Sequence, residues 1–344
     1  MISISVIGGS GYTGKKILEF CNNHPFVKDV TVYGNSTAGK PILSVFPDLT
    51  GIIDDSEILS AGNLSFDHDL YFIALPHGEA LNYVPALISN NKKVIDLGGD
   101  YRLDSEIEYE KWYKLSHNSP ELLNQKLYAL ADYPKTDYSN ISLIANPGCY
   151  PTATLLGLLP LTEKFNNEIL SVSVAAYSGT SGAGKSAKTE LLMSEMYGNV
   201  RAYNVNKHRH QPEIFQALNK NGFDAPFSFT THLLPVAVGI YATTTIHLKS
   251  NASENEIIDL YKNTYADSDF VRLRNTPPDL TWVTGTNFCD INVSVKDKIV
   301  VITSAIDNLI KGAAGQAVQN MNKLYNWNEK LGLLNTGVEN VSIY

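Results

Sequence analysis

The feature that most constrains this chain is a run of glycines directly after its first apolar stretch. Residues 2–7 read Ile-Ser-Ile-Ser-Val-Ile, as a strand does, and residues 8–14 then read Gly-Gly-Ser-Gly-Tyr-Thr-Gly before a helix-favouring stretch. Such a turn brings free N–H groups and the positive end of a helix dipole against a pyrophosphate. A turn that uses glycine only for its geometry is the alternative, but the position after the opening strand favours a dinucleotide site. The predicted cofactor contacts in this turn are Gly8, Ser10, Gly11, Tyr12, Thr13 and Gly14.

The order of the apolar runs predicts two domains. Short runs at 2–7, 30–33, 70–75, 94–97 and 141–145 alternate with helical stretches, which indicates an α/β domain with a Rossmann-like, doubly wound parallel sheet. Longer alternating runs at 170–177, 227–234, 240–248, 288–295 and 299–306 predict an α+β catalytic domain with a mixed or antiparallel sheet. We place the cofactor-binding domain at residues 1–148 and the catalytic domain at 149–307, with a C-terminal helix at about 308–344 that completes the first domain.

The loop after the second strand indicates which dinucleotide binds. NAD-specific sites place an acidic residue about 20 residues after the glycines, where it accepts hydrogen bonds from the ribose 2′-hydroxyl. Residues 34–40 read Gly-Asn-Ser-Thr-Ala-Gly-Lys and contain no carboxylate. A 2′-phosphate is accepted where no acid repels it, so we predict NADP (NADPH) as the cofactor, with Ser36 among its contacts. A plain polar loop is the alternative.

Composition and charge exclude several classes of partner. The 344 residues carry 35 acidic and 27 basic side chains, a formal charge of −8, whereas nucleic-acid binding depends on clustered Lys and Arg. No apolar run approaches the roughly 18–20 residues that span a bilayer. Met1 leads directly into a strand without the basic start of a signal peptide. We therefore expect a cytoplasmic protein that binds neither nucleic acid nor membrane.

One of the three cysteines lies where nucleophilic chemistry is favoured. Cys149 follows residues 146–148 (Asn-Pro-Gly) at the end of the fifth predicted strand, and an apolar helical stretch begins beside it. The N–H groups and dipole at a helix N-terminus favour a thiolate, which is the nucleophile that acyl transfer requires. Cys21 and Cys289 have apolar neighbours and are interpreted as core residues. The number and spacing of the cysteines indicate neither a disulfide framework nor a zinc site, and we predict no bound metal.

A polar cluster at residues 208–214 supplies the candidate base. It reads His-Arg-His-Gln-Pro-Glu-Ile, a density of polar groups that folding rarely needs. We predict His210 as the acid/base, with its imidazole oriented by Glu213, and keep His208 as the alternative. As an imidazolium, the same side chain would favour the Cys149 thiolate. His77 follows the third predicted strand, on the edge where a dinucleotide would lie.

Residues 179–186 also fit a different motif. They read Gly-Thr-Ser-Gly-Ala-Gly-Lys-Ser, which matches the GxxxxGK[ST] pattern of an ATP-binding P-loop between a strand and an expected helix. A nucleoside triphosphatase is therefore an alternative. It is weakened because the first strand already carries a dinucleotide turn and no convincing Mg²⁺-binding Asp follows. A non-enzymatic NADP-binding sensor is a further alternative, which leaves Cys149 and the histidine cluster unexplained.

Four segments together carry a family resemblance. The glycine turn, residues 146–152 (Asn-Pro-Gly-Cys-Tyr-Pro-Thr), residues 178–185 and residues 208–214 closely resemble the N-acetyl-gamma-glutamyl-phosphate reductases, in order and over essentially the whole chain. The related aspartate-semialdehyde dehydrogenases share the architecture but carry different residues around the Cys and His. The resemblance implies NADPH-dependent reduction of N-acetylglutamyl 5-phosphate to the 5-semialdehyde and phosphate, in arginine biosynthesis. It implies that Cys149 is the nucleophile, which forms a thioester, and that His210 is the acid/base.

The resemblance also implies contacts on the nicotinamide side of the cofactor, at Ser178, Gly179, Ser181, Gly182 and Asn308. Many relatives carry an arginine in the loop after the second strand, where this chain has Asn35, Ser36 and Lys40. A related acyl-phosphate reductase with an aminoadipyl or aspartyl substrate is the alternative, because one methylene changes binding by only ~1–3 kcal/mol. A homo-oligomer is the expected assembly.

Overall fold

The computed structural model describes residues 1–134, 136–186 and 188–334. Within them, fourteen strands form two seven-stranded sheets. The first sheet contains β1 (Ile2–Ile7), β2 (Val27–Gly34), β3 (Leu59–Ser60), β4 (Leu70–Ile73), β5 (Lys93–Asp96), β6 (Leu127–Tyr128) and β7 (Leu143–Ala145). The second sheet contains β8 (Ile169–Ser178), β9 (Arg201–Tyr203), β10 (Phe227–Leu233), β11 (Ile240–Leu248), β12 (Val271–Leu273), β13 (Cys289–Lys296) and β14 (Ile299–Ile306).

Nine α-helices in this described part of the chain connect and cover the sheets. They are α1 (Tyr12–Asn22), α2 (Ile42–Val45), α3 (Val84–Ser89), α4 (Glu106–Tyr113), α5 (Cys149–Phe165), α6 (Met193–Met196), α7 (His210–Asn219), α8 (Glu254–Thr264) and α9 (Gly315–Leu324). A π-helical turn, Ile310–Ala314, leads into α9. Among the described residues, no helix has the length and apolar character needed to cross a membrane.

The first sheet is parallel throughout, with the strand order β3-β2-β1-β4-β5-β7-β6. Parallel neighbours require crossover connections, and helical segments supply them. All six residues of β1 are buried, because both faces of the sheet are covered. The predicted Rossmann-like sheet is thus confirmed. Its carboxyl edge brings together the segments that follow β1, β4, β5 and β7, which are the glycine turn, the His77 loop, the loop at 97–102 and the Cys149 turn.

Helices cover both faces of this sheet. One core joins β1, α1, β4 and α9 through Ile4, Ile17, Phe72, Val318 and Met321. The opposite face is covered by α3 and α4, which bury apolar side chains in a second core with β4 and β5. The glycine turn therefore lies between a rigid sheet and a helix that is packed along its length.

The second sheet is mixed, with the strand order β12-β13-β14-β11-β8-β10-β9. β8 pairs in parallel with β10 and β12 with β13, whereas the other neighbours are antiparallel. Helices α5, α7 and α8 cover one face through a large apolar core. On the other face, the alternate positions Ala175, Tyr177, Tyr241, Thr243 and Thr245 are only half-buried, so this face is open in the single chain.

The C-terminal helical segment returns to the first sheet. The π-helical turn and α9 together cover residues 310–324, which is shorter than the predicted helix at about 308–344. Residues 325–334 contain turns without a further helix, and residues 335–344 lie outside the described residues. Ala317, Val318, Met321 and Leu324 pack in the core of the first sheet. The domain boundaries at 148 and 307 stay a prediction.

Candidate active site

Cys149 is the first residue of α5, directly after the turn that ends β7. Gly148 caps the helix with extended torsions of φ −68° and ψ 159° and provides no side-chain hydrogen bond. The backbone N–H of Tyr150 donates to the Cys149 thiol, which is half-buried. The thiol therefore lies at a helix N-terminus on the carboxyl edge of the first sheet, as predicted from the sequence.

Gly148 allows two further side chains to approach the candidate nucleophile. A Cβ at this position would lie 2.6 Å from His210 Nε2 and 2.8 Å from Arg102 Nη1, so only glycine fits. The same two nitrogens are 3.4 Å apart. Cys149, His210 and Arg102 therefore meet around the backbone of Gly148.

Glu213 has a different role from the predicted one. Its Oε1 accepts hydrogen bonds from the backbone N–H of Gly148 and from the hydroxyl of Tyr128, both at 2.8 Å. Its Oε2 lies 3.5 Å from Arg102 Nη1. The prediction that Glu213 orients the His210 imidazole is therefore wrong, because the carboxylate is engaged by the turn before α5 and by the guanidinium. Among the described residues, His210 Nδ1 has no hydrogen-bond partner.

The two neighbouring histidines have different surroundings. His208 Nδ1 accepts the backbone N–H of His210 at 3.2 Å, and its ring packs edge-on against Tyr150 and Tyr203. His208 thus holds the first turn of α7, whereas the His210 imidazole faces the backbone of Gly148. This arrangement favours His210 over His208 as the acid/base.

Burial changes the expected protonation of the site. It raises the pKa of Cys149, although the charge of Arg102 and the N–H of Tyr150 oppose that change. Burial, followed by the charges of His208 and Arg102, lowers the pKa of His210 well below its ordinary value. The prediction of a thiolate beside an imidazolium is therefore wrong for the chain without substrate. At neutral pH this site holds a thiol beside a neutral imidazole, which is able to accept a proton.

Arg102 is a site residue that the sequence reasoning missed. It is buried, and its guanidinium donates to the backbone carbonyls of Asn146 and Leu97 at 2.9 and 2.7 Å. The residue lies in the loop after β5, which reads Gly-Gly-Asp-Tyr-Arg at 98–102. That loop leaves a parallel strand at the edge where ligands bind, and a buried cation in it is the signal that could have identified the residue.

The glycine turn after β1 has the geometry that a dinucleotide needs. Gly8 has a φ of +86°, and its N–H donates to Tyr33 O at 2.8 Å. A Cβ on Gly14 would lie 2.5 Å from Gly9 Cα, so α1 packs directly on the turn. A Cβ on Gly11, which caps α1, would meet nothing nearer than 3.7 Å. Glycine at 8 and 14 therefore serves the fold, while glycine at 11 keeps the helix N-terminus open to a ligand.

The other predicted contacts of this turn lie beside it. Tyr12 and Thr13 begin α1, with Tyr12 exposed and Thr13 half-buried. A Cβ on Gly34, at the end of β2, would lie 4.0 Å from Ser10 Oγ. The exposed Ser36 belongs to the loop that leaves β2 at this point. In a Rossmann-like site this is where the adenosine ribose lies.

The second group of predicted cofactor residues surrounds Asn308, which is buried just after β14. Asn308 Oδ1 accepts the N–H of Gly239 at 2.6 Å, and its Nδ2 donates to Ser181 Oγ at 3.0 Å. A Cβ on Gly182 would lie 3.0 Å from Ser178 Oγ and 3.8 Å from Asn308 Nδ2. One amide side chain therefore fixes the turn after β8.

The same turn does not form a P-loop. β8 is followed by a single 3₁₀ turn, Thr180–Ala183, and residues 184–186 are not helical. Gly179 is held against the loop at 237–239, where a Cβ would lie 2.7 Å from Ala237 O. Residues 184–186 thus provide no helix N-terminus for nucleotide phosphates, and the nucleoside triphosphatase alternative is wrong.

A cavity of about 430 Å³ is lined by residues from both groups of predicted cofactor contacts. Its walls include Tyr12 from the glycine turn, Ser181 and Lys185 from the segment after β8, and Leu309 beside Asn308. The residues present therefore fit an extended dinucleotide, with an open helix N-terminus at one end and a polar turn at the other. No cluster of three or more His, Cys, Asp or Glu side chains suited to a metal ion occurs in the described ranges.

The segment before α9 also holds the Cys149 turn. A Cβ on Gly312, in the π-helical turn, would lie 2.7 Å from Cys149 Cβ. Asn146 Nδ2 donates to Ala313 O at 3.2 Å, and Asn146 Oδ1 accepts from Asn320 Nδ2 at 2.9 Å. The position of Cys149 therefore depends on residues far along the chain.

Comparison with known proteins identifies the family. The model of a semialdehyde dehydrogenase NAD binding domain matches residues 3–131, and that of a semialdehyde dehydrogenase dimerisation domain matches residues 149–308. A relative from Geobacillus sp. (strain WCH70), named N-acetyl-gamma-glutamyl-phosphate reductase, is 41% identical over 340 residues, which are 97% of this chain and 98% of the relative. The chain belongs to the N-acetyl-gamma-glutamyl-phosphate reductase family. A member from Bacillus subtilis (strain 168) is 39% identical over 98% of this chain and 99% of its own length.

Solved structures show how far the fold of this family extends. Aspartate semialdehyde dehydrogenase II from Vibrio cholerae, complexed with ASA, superposes with a TM-score of 0.72 at 16% identity over 95% of this chain and 98% of that one. Aspartate semialdehyde dehydrogenase with NADP from Candida albicans superposes with a TM-score of 0.64 at 15% identity, over 95% of this chain and 99% of that one. At such identities the likeness shows the fold alone. The family predicted from the sequence motifs, a family of oxidoreductases, is confirmed by the curated relatives.

Proposed function

We propose that this chain catalyses the NADPH-dependent reduction of N-acetyl-L-glutamyl 5-phosphate to N-acetyl-L-glutamate 5-semialdehyde and phosphate, in arginine biosynthesis. The substrate is supported by identities of 39–41% to the named relatives over nearly the whole chain. The observation that carries the chemistry is the meeting of Cys149, His210 and Arg102 around Gly148.

Cys149 is the proposed nucleophile. With the acyl phosphate bound, the neutral imidazole of His210 accepts the thiol proton and the sulfur attacks the acyl carbon. The bond from that carbon to the phosphate oxygen breaks, and phosphate leaves with the electron pair. A thioester on Cys149 results. Burial, which raises the pKa of the thiol, makes the base necessary at neutral pH.

His210 acts again in the second half of the reaction. When bound, NADPH supplies a hydride to the thioester carbonyl. With the proton that it took from Cys149, His210 protonates the oxygen that hydride addition leaves negatively charged, which gives a thiohemiacetal on Cys149. The neutral imidazole then takes this proton back as the C–S bond breaks, and it returns the proton to the departing sulfur, so the aldehyde and the Cys149 thiol are released. The residues that would hold the cofactor are Gly8, Ser10, Gly11, Tyr12, Thr13 and Gly14 at the pyrophosphate, Ser36 at the 2′-phosphate, and Ser178, Gly179, Ser181, Gly182 and Asn308 at the nicotinamide.

The chain is further proposed to act as a homo-oligomer in the cytoplasm. The open face of the second sheet carries half-buried Tyr177 and Tyr241, and a second copy packed there would cover it. The family model that matches this part of the chain describes a dimerisation domain. Cys21, Cys149 and Cys289 are all free thiols, which suits a reducing compartment. Sedimentation that gives a monomer at micromolar concentration would contradict the assembly.

The reverse reaction tests the proposed activity. N-acetylglutamate 5-semialdehyde, phosphate and NADP should give NADPH absorbance, with aspartate semialdehyde a much poorer substrate. Cys149→Ser should lose essentially all turnover while still binding NADPH, because a hydroxyl at neutral pH is a far poorer nucleophile than a thiolate.

Cys21→Ala is the matched control, because Cys21 lies on the buried face of α1, in the core of the first sheet, and has no role in the proposed reaction. It should leave kcat nearly unchanged. Near-normal turnover of Cys149→Ser would overturn the thioester, and a preference for the one-carbon-longer semialdehyde would assign the chain to the aminoadipyl alternative.

A further inference from the structure

Arg209 is a cation at the active site that the contacts of the folded chain leave free. It lies between His208 and His210 at the start of α7, its side chain is exposed, and it forms no ion pair with any described residue. Arg102 is different, because it is buried and its nitrogens face two backbone carbonyls and the Glu213 carboxylate. Of these two guanidinium groups, only that of Arg209 is available to a substrate.

The charge of Arg209 acts on the groups that surround Cys149. Burial is the main reason that the pKa of His77 falls to about 3, and the charge of Arg209 is the next. The same charge also lowers the pKa values of Cys149 and His210, although burial and the charges of other groups have larger effects on both. One exposed cation therefore lies within electrostatic range of the nucleophile and of the candidate base.

The hydroxyl of Tyr113 is a second polar group that the described part of the chain leaves without a hydrogen-bond partner. Its oxygen is buried and has no hydrogen-bond partner among the described residues. A Cβ on Gly99 would lie 2.5 Å from this oxygen and 2.7 Å from His77 Nδ1, so the hydroxyl lies over the loop that leads to Arg102. Burial raises the pKa of Tyr113, which keeps the group protonated and able to donate. A buried donor without an acceptor costs free energy unless a ligand supplies the acceptor.

We infer that Arg209 and Tyr113 bind the phosphoryl oxygens of the substrate. This inference rests on the proposed acyl-phosphate reaction and adds the residues that recognise the leaving group. Phosphate departs from the carbon that Cys149 attacks, so its oxygens must lie beside the sulfur, whereas the substrate carboxylate is several bonds away. A guanidinium can bind two phosphoryl oxygens at once, and a neutral phenol donates one further hydrogen bond.

Kinetics of the reverse reaction separate phosphate from the aldehyde. Arg209→Gln should raise the KM for phosphate about 10- to 100-fold, because a charge-assisted hydrogen bond is lost, while the KM for the semialdehyde stays nearly constant. Tyr113→Phe removes only the hydroxyl and should raise the phosphate KM about 3- to 10-fold. Lys207→Gln, an exposed cation on the preceding loop, is the control and should change neither constant. A rise in the semialdehyde KM alone, an equal rise in both, or no change in either would overturn the inference.

Protection of the nucleophile measures phosphate binding without the proposed substrate. Inorganic phosphate should slow alkylation of Cys149 by iodoacetamide at constant ionic strength, and Arg209→Gln should need about 10-fold more phosphate for half-protection. Equal protection in the wild-type and Arg209→Gln proteins would reject Arg209 as the phosphate residue. Failure to turn over N-acetylglutamate 5-semialdehyde with this protection intact would instead reject the proposed substrate and leave the phosphate site standing.

Discussion

At Cys149, burial and the local electrostatics act in opposite directions on the thiol. The charge of Arg102 and the N–H of Tyr150 lower its pKa, but burial raises it by more. A helix N-terminus is therefore not sufficient to make a thiolate here. His210, which burial keeps neutral, is able to accept a proton, so in the proposed reaction the thiol becomes a nucleophile only when this base and the substrate are both in position.

Alkylation of Cys149 should follow this raised pKa. Because the pKa lies above the ordinary value of 9.0, the iodoacetamide rate at Cys149, measured by peptide mass spectrometry, should still increase above neutral pH and reach half its maximum beyond pH 9.0. His210→Asn should leave alkylation measurable but lower kcat by roughly 10²–10⁴. A rate that is already maximal near neutral pH would reveal a preformed thiolate–imidazolium pair and contradict this account. A severe loss of kcat in His208→Asn with little loss in His210→Asn would reassign the base to His208 and leave the rest of this account unchanged.

At the scale of elements, the strands predicted from the sequence are those inside the sheets. Five of the seven strands in each sheet match predicted apolar runs. The strands that were missed, β3, β6, β9 and β12, are two or three residues long and occupy both ends of both sheets. An edge strand is paired on one side only and need not be strongly apolar, so its sequence carries little periodic signal.

The residues of the candidate active site also show which features a sequence pattern can predict and which it cannot. The glycine turn, Cys149 and His210 each lie in a local pattern with a known chemical use, and those patterns could be recognised. The contacts of Arg102 and Glu213 could not be predicted from the sequence, because they depend on which loop of the first sheet packs against the start of α7. A sequence pattern within one segment contains no information about this tertiary contact.

Two glycines of the turn after β1 should respond differently to alanine. Gly14→Ala places a Cβ 2.5 Å from Gly9 Cα, so it should separate α1 from the turn and lower both the Tm and NADPH affinity. Gly11→Ala meets nothing nearer than 3.7 Å, so it should keep the Tm but weaken NADPH binding by obstructing the helix N-terminus. Fluorescence titration and thermal unfolding measure the two effects. Unchanged NADPH affinity in Gly11→Ala would place the pyrophosphate elsewhere.

At the scale of the whole molecule, a buried ion pair connects the two halves of the chain. Lys311, in the π-helical turn, pairs with Asp132 and also donates to Gln319 Oε1 at 2.7 Å. Asp132 Oδ1 accepts from Ser268 Oγ at 2.7 Å, which adds a residue of the second domain. Both charged groups are buried, so each depends on the other to offset the free-energy cost of removing its charge from water.

Removal of one member of this pair should be costly. Asp132→Ala leaves the Lys311 cation buried without its partner and should lower the free energy of unfolding by about 3–5 kcal/mol, measured by urea denaturation. Lys111→Gln breaks an exposed pair with Glu108 on α4 and should hardly change the urea midpoint. Equal small effects of the two substitutions would show that water reaches the Lys311 site.

The position of residues 307–324 also has a consequence for the order in which the protein is made. Asn308 fixes the turn after β8, Gly312 contacts Cys149, and α9 covers the first sheet, yet the ribosome synthesises these residues after Cys149, His210 and the glycine turn. Domains fold as they emerge, so a nascent chain can form much of its first sheet early. Its cysteine, however, stays without a positioned cofactor turn until this segment leaves the exit tunnel. Translation therefore completes the proposed nucleophile well before the segment that surrounds it, so the candidate site can be assembled only after residues 307–324 have been made.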